Sequence, residues 1–267
     1  MAVGNLLFLF ILFAFGLCFG SFLNVIVYRL PRKLSVVQPP SSCPACKTRL
    51  GFFDLIPLFS YLFLKGKCRY CSASISYRYP LVELLTGLLF VAVFYYFGFS
   101  AAGLFHLALL YILLAVTLID LEHRIVPNTL VAAGLIIGLL FYLPVLLSLV
   151  TDVPAWLLID RQPLDALLGF VVGGGLLLII ILVSRGGMGA GDMKLMAMIG
   201  LFVGLRGVAV VLLAGFIFGA LVGIAMMILG HATRKSALPF APYLALATIV
   251  EVFWGEAIWN WYINLIL

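Results

Sequence analysis

The sequence predicts an all-α polytopic membrane protein of about eight transmembrane helices, and three observations carry that prediction. Of its 267 residues, 65% are hydrophobic and 10% charged, with a mean hydropathy of +1.26. Soluble domains carry about 25% charged residues, so a single water-soluble domain is excluded. Apolar segments long enough to cross about 30 Å of hydrocarbon recur along the chain, and the basic residues gather on one side of the resulting topology.

The segments lie near 5–27, 80–98, 101–121, 126–148, 164–184, 193–205, 207–230 and 239–266. The first lacks a basic n-region and a small-residue cleavage site and is too long for an h-region, so it reads as a retained helix. Segment 193–205 is short: at 1.5 Å per residue it reaches about 20 Å. It is kept as a span because Gly204, Arg206 and Gly207 interrupt the run, and it must be buried among neighbours or thin the bilayer. Glycines spaced by four, at Gly16/Gly20, Gly134/Gly138, Gly169/Gly173 and Gly215/Gly219/Gly223, suit close helix packing.

Lysine and arginine set the orientation. Arg29, Arg32, Lys33, Lys47, Arg49, Lys65, Lys67, Arg69 and Arg78 fall between the first two spans. With Arg124, Arg185, Lys194, Arg234 and Lys235, the eight-span topology puts fourteen of the sixteen basic residues on one side, the cytoplasmic one. Arg161 and Arg206 face the other way, beside Asp152, Asp160, Asp165 and Glu256. Both termini then face outward, and Trp254, Trp259, Trp261 and Tyr262 form an aromatic belt at the outer end of the last span. The net charge of +6 is explained by this topology, and nucleic acid is not among the expected partners.

Residues 28–79 form the one sizeable polar region, read as a small cytoplasmic domain between a first transmembrane helix (1–27) and a seven-helix membrane core (80–267). It holds Cys43-Pro-Ala-Cys46 and Cys68-Arg-Tyr-Cys71. Two such knuckles make a tetrahedral four-thiolate site for Zn²⁺. Disulfides or redox-active thiols are the rival reading, disfavoured in a reducing cytosol. With every ligand position filled by protein, the zinc is expected to be structural and to fold a loop that has little core. Cys18, inside the first span, reads as packing.

Charged side chains within or at the edge of a bilayer are functional candidates. Asp120 ends the third span in Leu118-Ile119-Asp120-Leu121-Glu122-His123-Arg124, and Asp192 follows the glycine-rich run Gly186-Gly187-Met188-Gly189-Ala190-Gly191. Two carboxyls sharing a proton can activate a water and protonate a leaving nitrogen, because like charges about 3 Å apart cannot both be ionised. Gly189 and Gly191 would let a substrate backbone approach closely. The plainer readings are that Asp192 caps the sixth span and that Asp120 and Glu122 are interfacial charges paired with Arg124. Glu83, shortly after Pro80, reads as a first-turn acid of the second span that could also face the site. Glu251 has no evident partner in sequence, and His106, His123 and His231 show no ligand spacing.

Taken in order, Gly20-Ser21-Phe22-Leu23-Asn24-Val25-Ile26-Val27-Tyr28-Arg29-Leu30-Pro31, the paired CxxC loop, Tyr77-Arg78-Tyr79-Pro80-Leu81-Val82-Glu83, Ile119-Asp120 through Pro127-Asn128, and Gly187-Met188-Gly189-Ala190-Gly191-Asp192-Met193-Lys194-Leu195 resemble the bacterial prepilin peptidases, or type IV leader peptidases. These are GxGD-type intramembrane aspartyl proteases, and the match runs from about residue 16 to 200. The resemblance implies cleavage of a basic leader from type IV prepilin and pseudopilin precursors at the cytoplasmic face of the bacterial inner membrane. It also implies N-methylation of the new terminus from S-adenosylmethionine. Asp120 and Asp192 match the catalytic aspartates, and Cys43, Cys46, Cys68 and Cys71 the loop of bifunctional members. Gly189, Gly191, Lys194, Glu83 and Glu122 are substrate-proximal candidates. Asn128 departs from the aspartate of many relatives, an outer loop around Trp156 to Pro163 is longer, and no methyl-donor fingerprint is recognisable, so the cofactor-binding residues are unassigned.

Opposite helix polarity at the two aspartates suggests Asp192, at a helix N-terminus, as the ionised base and Asp120, at a C-terminus, as the proton donor. The substrate's apolar helix would stay in lipid while anionic headgroups attract the basic loop. The rival class is a cation-coupled membrane transporter using intramembrane carboxylates.

Overall fold

The structure, a computed structural model, describes residues 6–159, 161–184, 187–231, 233 and 238–266. Asn5, Asp160, Arg185, Gly186, Arg234 and Lys235, which enter the sequence argument, lie outside the described residues. Contacts within the chain divide it into two units, 1–98 and 99–267.

The first unit holds α1 (Leu6–Arg29), a 3-10 turn (Phe52–Leu55), the short α2 (Phe59–Phe63) and α3 (Arg78–Phe97). The expected glycine packing is present. A Cβ on Gly16 would lie 2.7 Å from the Gly87 Cα, and one on Gly20 would lie 2.6 Å from the Glu83 Cα. One helix turn further, the Asn24 side-chain amide donates to the Tyr79 carbonyl at 3.2 Å. As residue numbers rise along α1 they fall along α3, so the helices are antiparallel and in backbone contact.

The second unit holds α4 (Ala101–His123), α5 (Asn128–Leu147), a 3-10 turn (Ala155–Leu157), α6 (Pro163–Val183), α7 (Ala190–Ile228) and α8 (Ala241–Ile266). Seven helices among the described residues are long and apolar enough to cross a membrane. Sequence boundaries and helix boundaries agree within a few residues, with one difference of form. The sixth and seventh expected spans emerge as the single continuous α7, broken only by non-helical backbone at Gly204 (φ 70°, ψ −178°).

That break reverses the chain. Gly169 of α6 packs against both Gly200 and Gly204, and Gly173, one turn along α6, meets Met196 on one side of the break and Val208 on the other. The second half then runs antiparallel to α8, with Gly215 against Leu244, Gly219 against Tyr243 and Gly223 against Leu238. Helix α7 is therefore two antiparallel spans, and the eight-span reading stands. The first half, 190–203, is as short as expected and is buried among its neighbours: Leu195, Met196, Met198, Ile199, Phe202 and Val203 are all enclosed. Phe202 stacks on Phe105 of α4 with ring centroids 4.5 Å apart.

An ionic staple holds the reversal. Asp165 Oδ1 accepts from the Leu205 N–H at 3.1 Å. Arg161 donates to the Val203 carbonyl and to Glu251 Oε1 of α8, the latter at 3.3 Å. Glu251, unpartnered in the sequence reading, is thus paired with an arginine ninety positions away.

Candidate active site and metal centre

The local sequence builds two matching knuckles in the first unit. Lys47 N–H donates to Cys43 O and Cys43 N–H to Thr48 O, while Ser72 N–H donates to Cys68 O and Cys68 N–H to Ala73 O. Each knuckle closes through a residue with positive φ just after its second cysteine, Lys47 (φ 60°) and Ser72 (φ 59°). The four sulfurs lie within 4.8 Å of one another. Cys43 Sγ and Cys71 Sγ are 3.8 Å apart, and sulfurs at 2.3 Å around a tetrahedral zinc would be about 3.8 Å apart. Covalently bonded sulfurs would be about 2.05 Å apart, and all four thiols are free. The cluster fits a metal ion.

The knuckles also favour thiolate. The Thr48 hydroxyl and N–H lower the Cys46 thiol to about 6, and the N–H groups of Tyr70 and Cys71 lower Cys68. At Cys71 the Ala73 N–H works the same way, but burial and the three neighbouring sulfurs outweigh it and push the thiol up to about 11. Asp54 ties the two halves of the loop. It accepts from Arg69 Nε at 2.6 Å, from the Tyr70 hydroxyl at 3.0 Å and from the Gly51 N–H at 3.0 Å.

Glu83 has a different place from the one expected. Helix α3 starts at Arg78, before Pro80, so Glu83 lies in its second turn and is buried. The carboxylate accepts the Leu58 N–H at 2.8 Å, which anchors the loop to α3 where Leu58 is held in a strained backbone (φ 60°, ψ −51°) at the start of α2.

In the second unit, one end of the helix bundle brings together the ends of α4, α5, α7 and α8. Asp120 lies in the last turn of α4, which closes on Arg124 in the left-handed region (φ 53°, ψ 42°). Its side chain is buried. Asp192 lies in the first turn of α7, where its N–H donates to the Gly189 carbonyl at 3.1 Å. The Asp192 carboxylate turns back toward Gly189, as a first-turn helix acid does, and also feels the charge of Asp120. The capping and pairing readings of Asp192 are therefore compatible. Gly191 is needed for closeness: a Cβ there would be 2.9 Å from the Val126 Cβ. Lys194 Nζ donates to Asn128 Oδ1 of α5 at 3.1 Å. Glu122 is exposed, 3.8 Å from His123 Nε2.

One partner escaped sequence reasoning. The Ala241 N–H, at the start of α8, donates to Asp120 Oδ2 at 3.2 Å. The polarity argument assigned one helix end to each aspartate, yet Asp120 also faces the N-terminus of α8, whose dipole favours a carboxylate. Helix polarity alone therefore does not rank the pair. The available signal was the pair Pro239 and Pro242 bracketing a helix start, with its unsatisfied N–H groups.

Residues 14–97 match the family model described as Bacterial Peptidase A24 N-terminal domain, and residues 107–224 match that of the Type IV leader peptidase family. Several similar curated proteins are named prepilin leader peptidase/N-methyltransferase. One from Bacillus subtilis is 36% identical, covering 96% of this chain and 98% of its own length. One from Aeromonas salmonicida is 35% identical over 96% and 94%, and one from Pseudomonas aeruginosa 34% over 93% and 91%. No solved structure matches the chain significantly. The transporter alternative finds no support in these matches and is set aside.

Proposed function

The chain belongs to the type IV leader peptidase family, and from that premise we propose that it cleaves the leader from type IV prepilin and pseudopilin precursors and then N-methylates the new terminus. The observation that carries the protease half is the placement of Asp120, in the last turn of α4, and Asp192, in the first turn of α7, at the same end of the second unit. The pair shares one proton. One carboxylate takes a proton from the attacking water while the other, protonated, hydrogen-bonds the scissile carbonyl and gives its proton to the leaving nitrogen. Ala241 N–H fixes one oxygen of Asp120 throughout. Gly189 keeps the approach to Asp192 free of a side chain, and Gly191 lets the start of α7 pack against Val126. Glu122, exposed on the same turn as Asp120, is a substrate-facing candidate. Glu83, engaged with the loop, serves to anchor it.

The four cysteines hold a structural Zn²⁺, supported by their spacing and donor chemistry. When bound, the ion supplies cross-linking of the loop and no open coordination position. The methyl donor S-adenosylmethionine is inferred from the relatives' names, and no residue of this chain is assigned to it. The one-sided basic residues put the loop and the aspartate pair on the cytoplasmic face of the bacterial inner membrane, with basic side chains against anionic headgroups.

The test is incubation of the purified, lipid-reconstituted protein with a full-length prepilin and S-adenosylmethionine, read by mass spectrometry. A product lacking the leader and carrying one added methyl group is expected. An intact precursor would overturn the reading.

A further inference from the structure

The cysteine loop carries an apolar face that neither the metal centre nor the aspartate pair uses. Phe59, Leu62 and Phe63 follow the i, i+3, i+4 spacing that places side chains on one side of a helical turn. All three are exposed, Phe63 at 83%. The neighbouring 3-10 turn, in contact with α2, adds exposed Phe52 and Phe53, whose rings meet edge to face at 5.7 Å. Bare apolar surface concentrated in this way marks a contact with a membrane or a partner.

The hydrogen bond from the Leu58 N–H to Glu83 fixes the level of this face. Glu83 lies about 7.5 Å past Arg78 along the α3 axis, at 1.5 Å per residue. It also packs against the first span, where Gly20 of α1 meets its Cα. The start of α2 is therefore held beside α1 and α3, inside the ends of both spans. Amphipathic segments that rest on a bilayer sink their apolar side about 5–10 Å into the boundary between headgroups and acyl chains. With Arg78 at headgroup level, that boundary is the level of Glu83.

We propose that α2 and the 3-10 turn insert Phe52, Phe53, Phe59, Leu62 and Phe63 into the headgroup–acyl boundary of an anionic bilayer, so that the two cysteine knuckles ride on the membrane surface. Two further observations favour lipid as the occupant. First, the turn can lie there without bare backbone. The N–H groups of Ser60, Leu62 and Leu64 donate to the carbonyls of Ile56, Leu58 and Ser60, each at 3.0 Å, and lipid tolerates only backbone satisfied from within. Second, the surrounding charge is of one sign. Lys47, Arg49, Lys65 and Lys67 are exposed, while Asp54 is the one acid between α1 and α3 and is engaged with Arg69. Basic side chains around an apolar patch match phosphate headgroups above acyl chains. The inference goes beyond the proposed activity and does not depend on it.

The experiment uses the full chain reconstituted in vesicles of phosphatidylglycerol and phosphatidylethanolamine. A photo-crosslinking side chain at position 63 is expected to give phospholipid adducts, read by mass spectrometry. Adducts confined to residues 99–267, to a second copy of the chain or to added precursor would overturn the proposal, as would the absence of any lipid adduct in protein that melts like wild type. Phe63→Trp keeps an aromatic ring and gives an independent reading. After subtraction of the wild-type signal, its emission is expected at shorter wavelength than that of tryptophan in water. It is also expected to be quenched more strongly by lipids brominated near the headgroup than by lipids brominated at the chain ends. Water-like emission without quenching, or strongest quenching from the chain ends, would overturn the proposal. Exchanging phosphatidylglycerol for phosphatidylcholine is expected to weaken the shallow quenching, and unchanged quenching would overturn the part given to the basic side chains. Neither readout involves leader cleavage, so a failure here leaves the proposed function standing, and an inactive enzyme leaves this inference standing.

Discussion

The Ala241 N–H donates to Asp120 Oδ2 at 3.2 Å, joining residues 121 positions apart at a buried site. Ala241 is fully enclosed and stands at the first helical position of α8, where an N–H has no partner within its own helix. The first free donor of one helix is thus spent on the acid that ends another.

Replacing Ala241 with proline removes this donor alone, since proline suits the first turn of a helix. A hydrogen bond to a charged group contributes about 1.5–3 kcal/mol, so Ala241→Pro is expected to lower kcat for leader removal by about ten- to a hundredfold with KM little changed. Steady-state kinetics on the whole precursor check this, with Ala241→Ser as the control that retains the N–H. A loss carried mainly by KM would contradict a positioning role.

The metal centre predicts one zinc per chain in the purified protein and its loss in Cys43→Ser or Cys68→Ser, measured by elemental analysis. Leader cleavage that persists in Cys43→Ser while methylation disappears would tie the loop to methyl transfer. The full complement of zinc in both variants would contradict the four-thiolate site.

Asp54 makes the loop sensitive to acid. Burial opposes its ionisation, but hydrogen bonds from Arg69, Gly51 and Tyr70, with the nearby arginine charge, hold its carboxyl below the usual range. A folded-state pKa below the unfolded value of about 3.9 contributes stability that is present above that value and lost as pH falls through the folded pKa. Thermal melts of wild type and Asp54→Asn are therefore expected to differ at pH 7 and to draw together as the pH falls below the unfolded value and through the lower folded one. A gap that stays constant as the pH falls through the acid range would contradict this.

The staple at the far end of the second unit predicts a defect of stability rather than chemistry. Glu251→Ala leaves Arg161 partly buried without its carboxylate, and breaking such a pair costs about 2 kcal/mol once partial exposure is allowed for. That corresponds to a fall in the thermal midpoint of about 4–8 °C, with kcat of the folded fraction unchanged. Gly204→Ala is expected to be worse. Its φ of 70° and ψ of −178° lie in a region essentially reserved for glycine, and a Cβ would overlap the Asp165 carboxylate.

Much of this arrangement is written locally in the sequence. Span positions follow from hydropathy, because lipid demands continuous apolar segments with every backbone group satisfied. Both aspartates and all four cysteines stand out because polar chemistry is rare in such a chain. Three features were not legible, and each depends on contact between distant segments. Ala241 offers only a backbone N–H, which no residue type marks. Glu251 meets Arg161 because α7 doubles back, a consequence of one glycine's dihedral angles. Glu83 was misread as a first-turn acid because α3 starts before its proline rather than at it. Proline ring geometry suits the first turn without fixing which of its positions the ring occupies.

The central claim, that Asp120 and Asp192 act together, is tested most directly by comparing Asp120→Asn, Asp192→Asn and wild type on one precursor in lipid, with thermal melts confirming that each is folded. Each single replacement is expected to lower leader cleavage by about a thousandfold or more, and the double replacement to add little further loss. Cleavage at the wild-type rate by either folded variant would contradict the account.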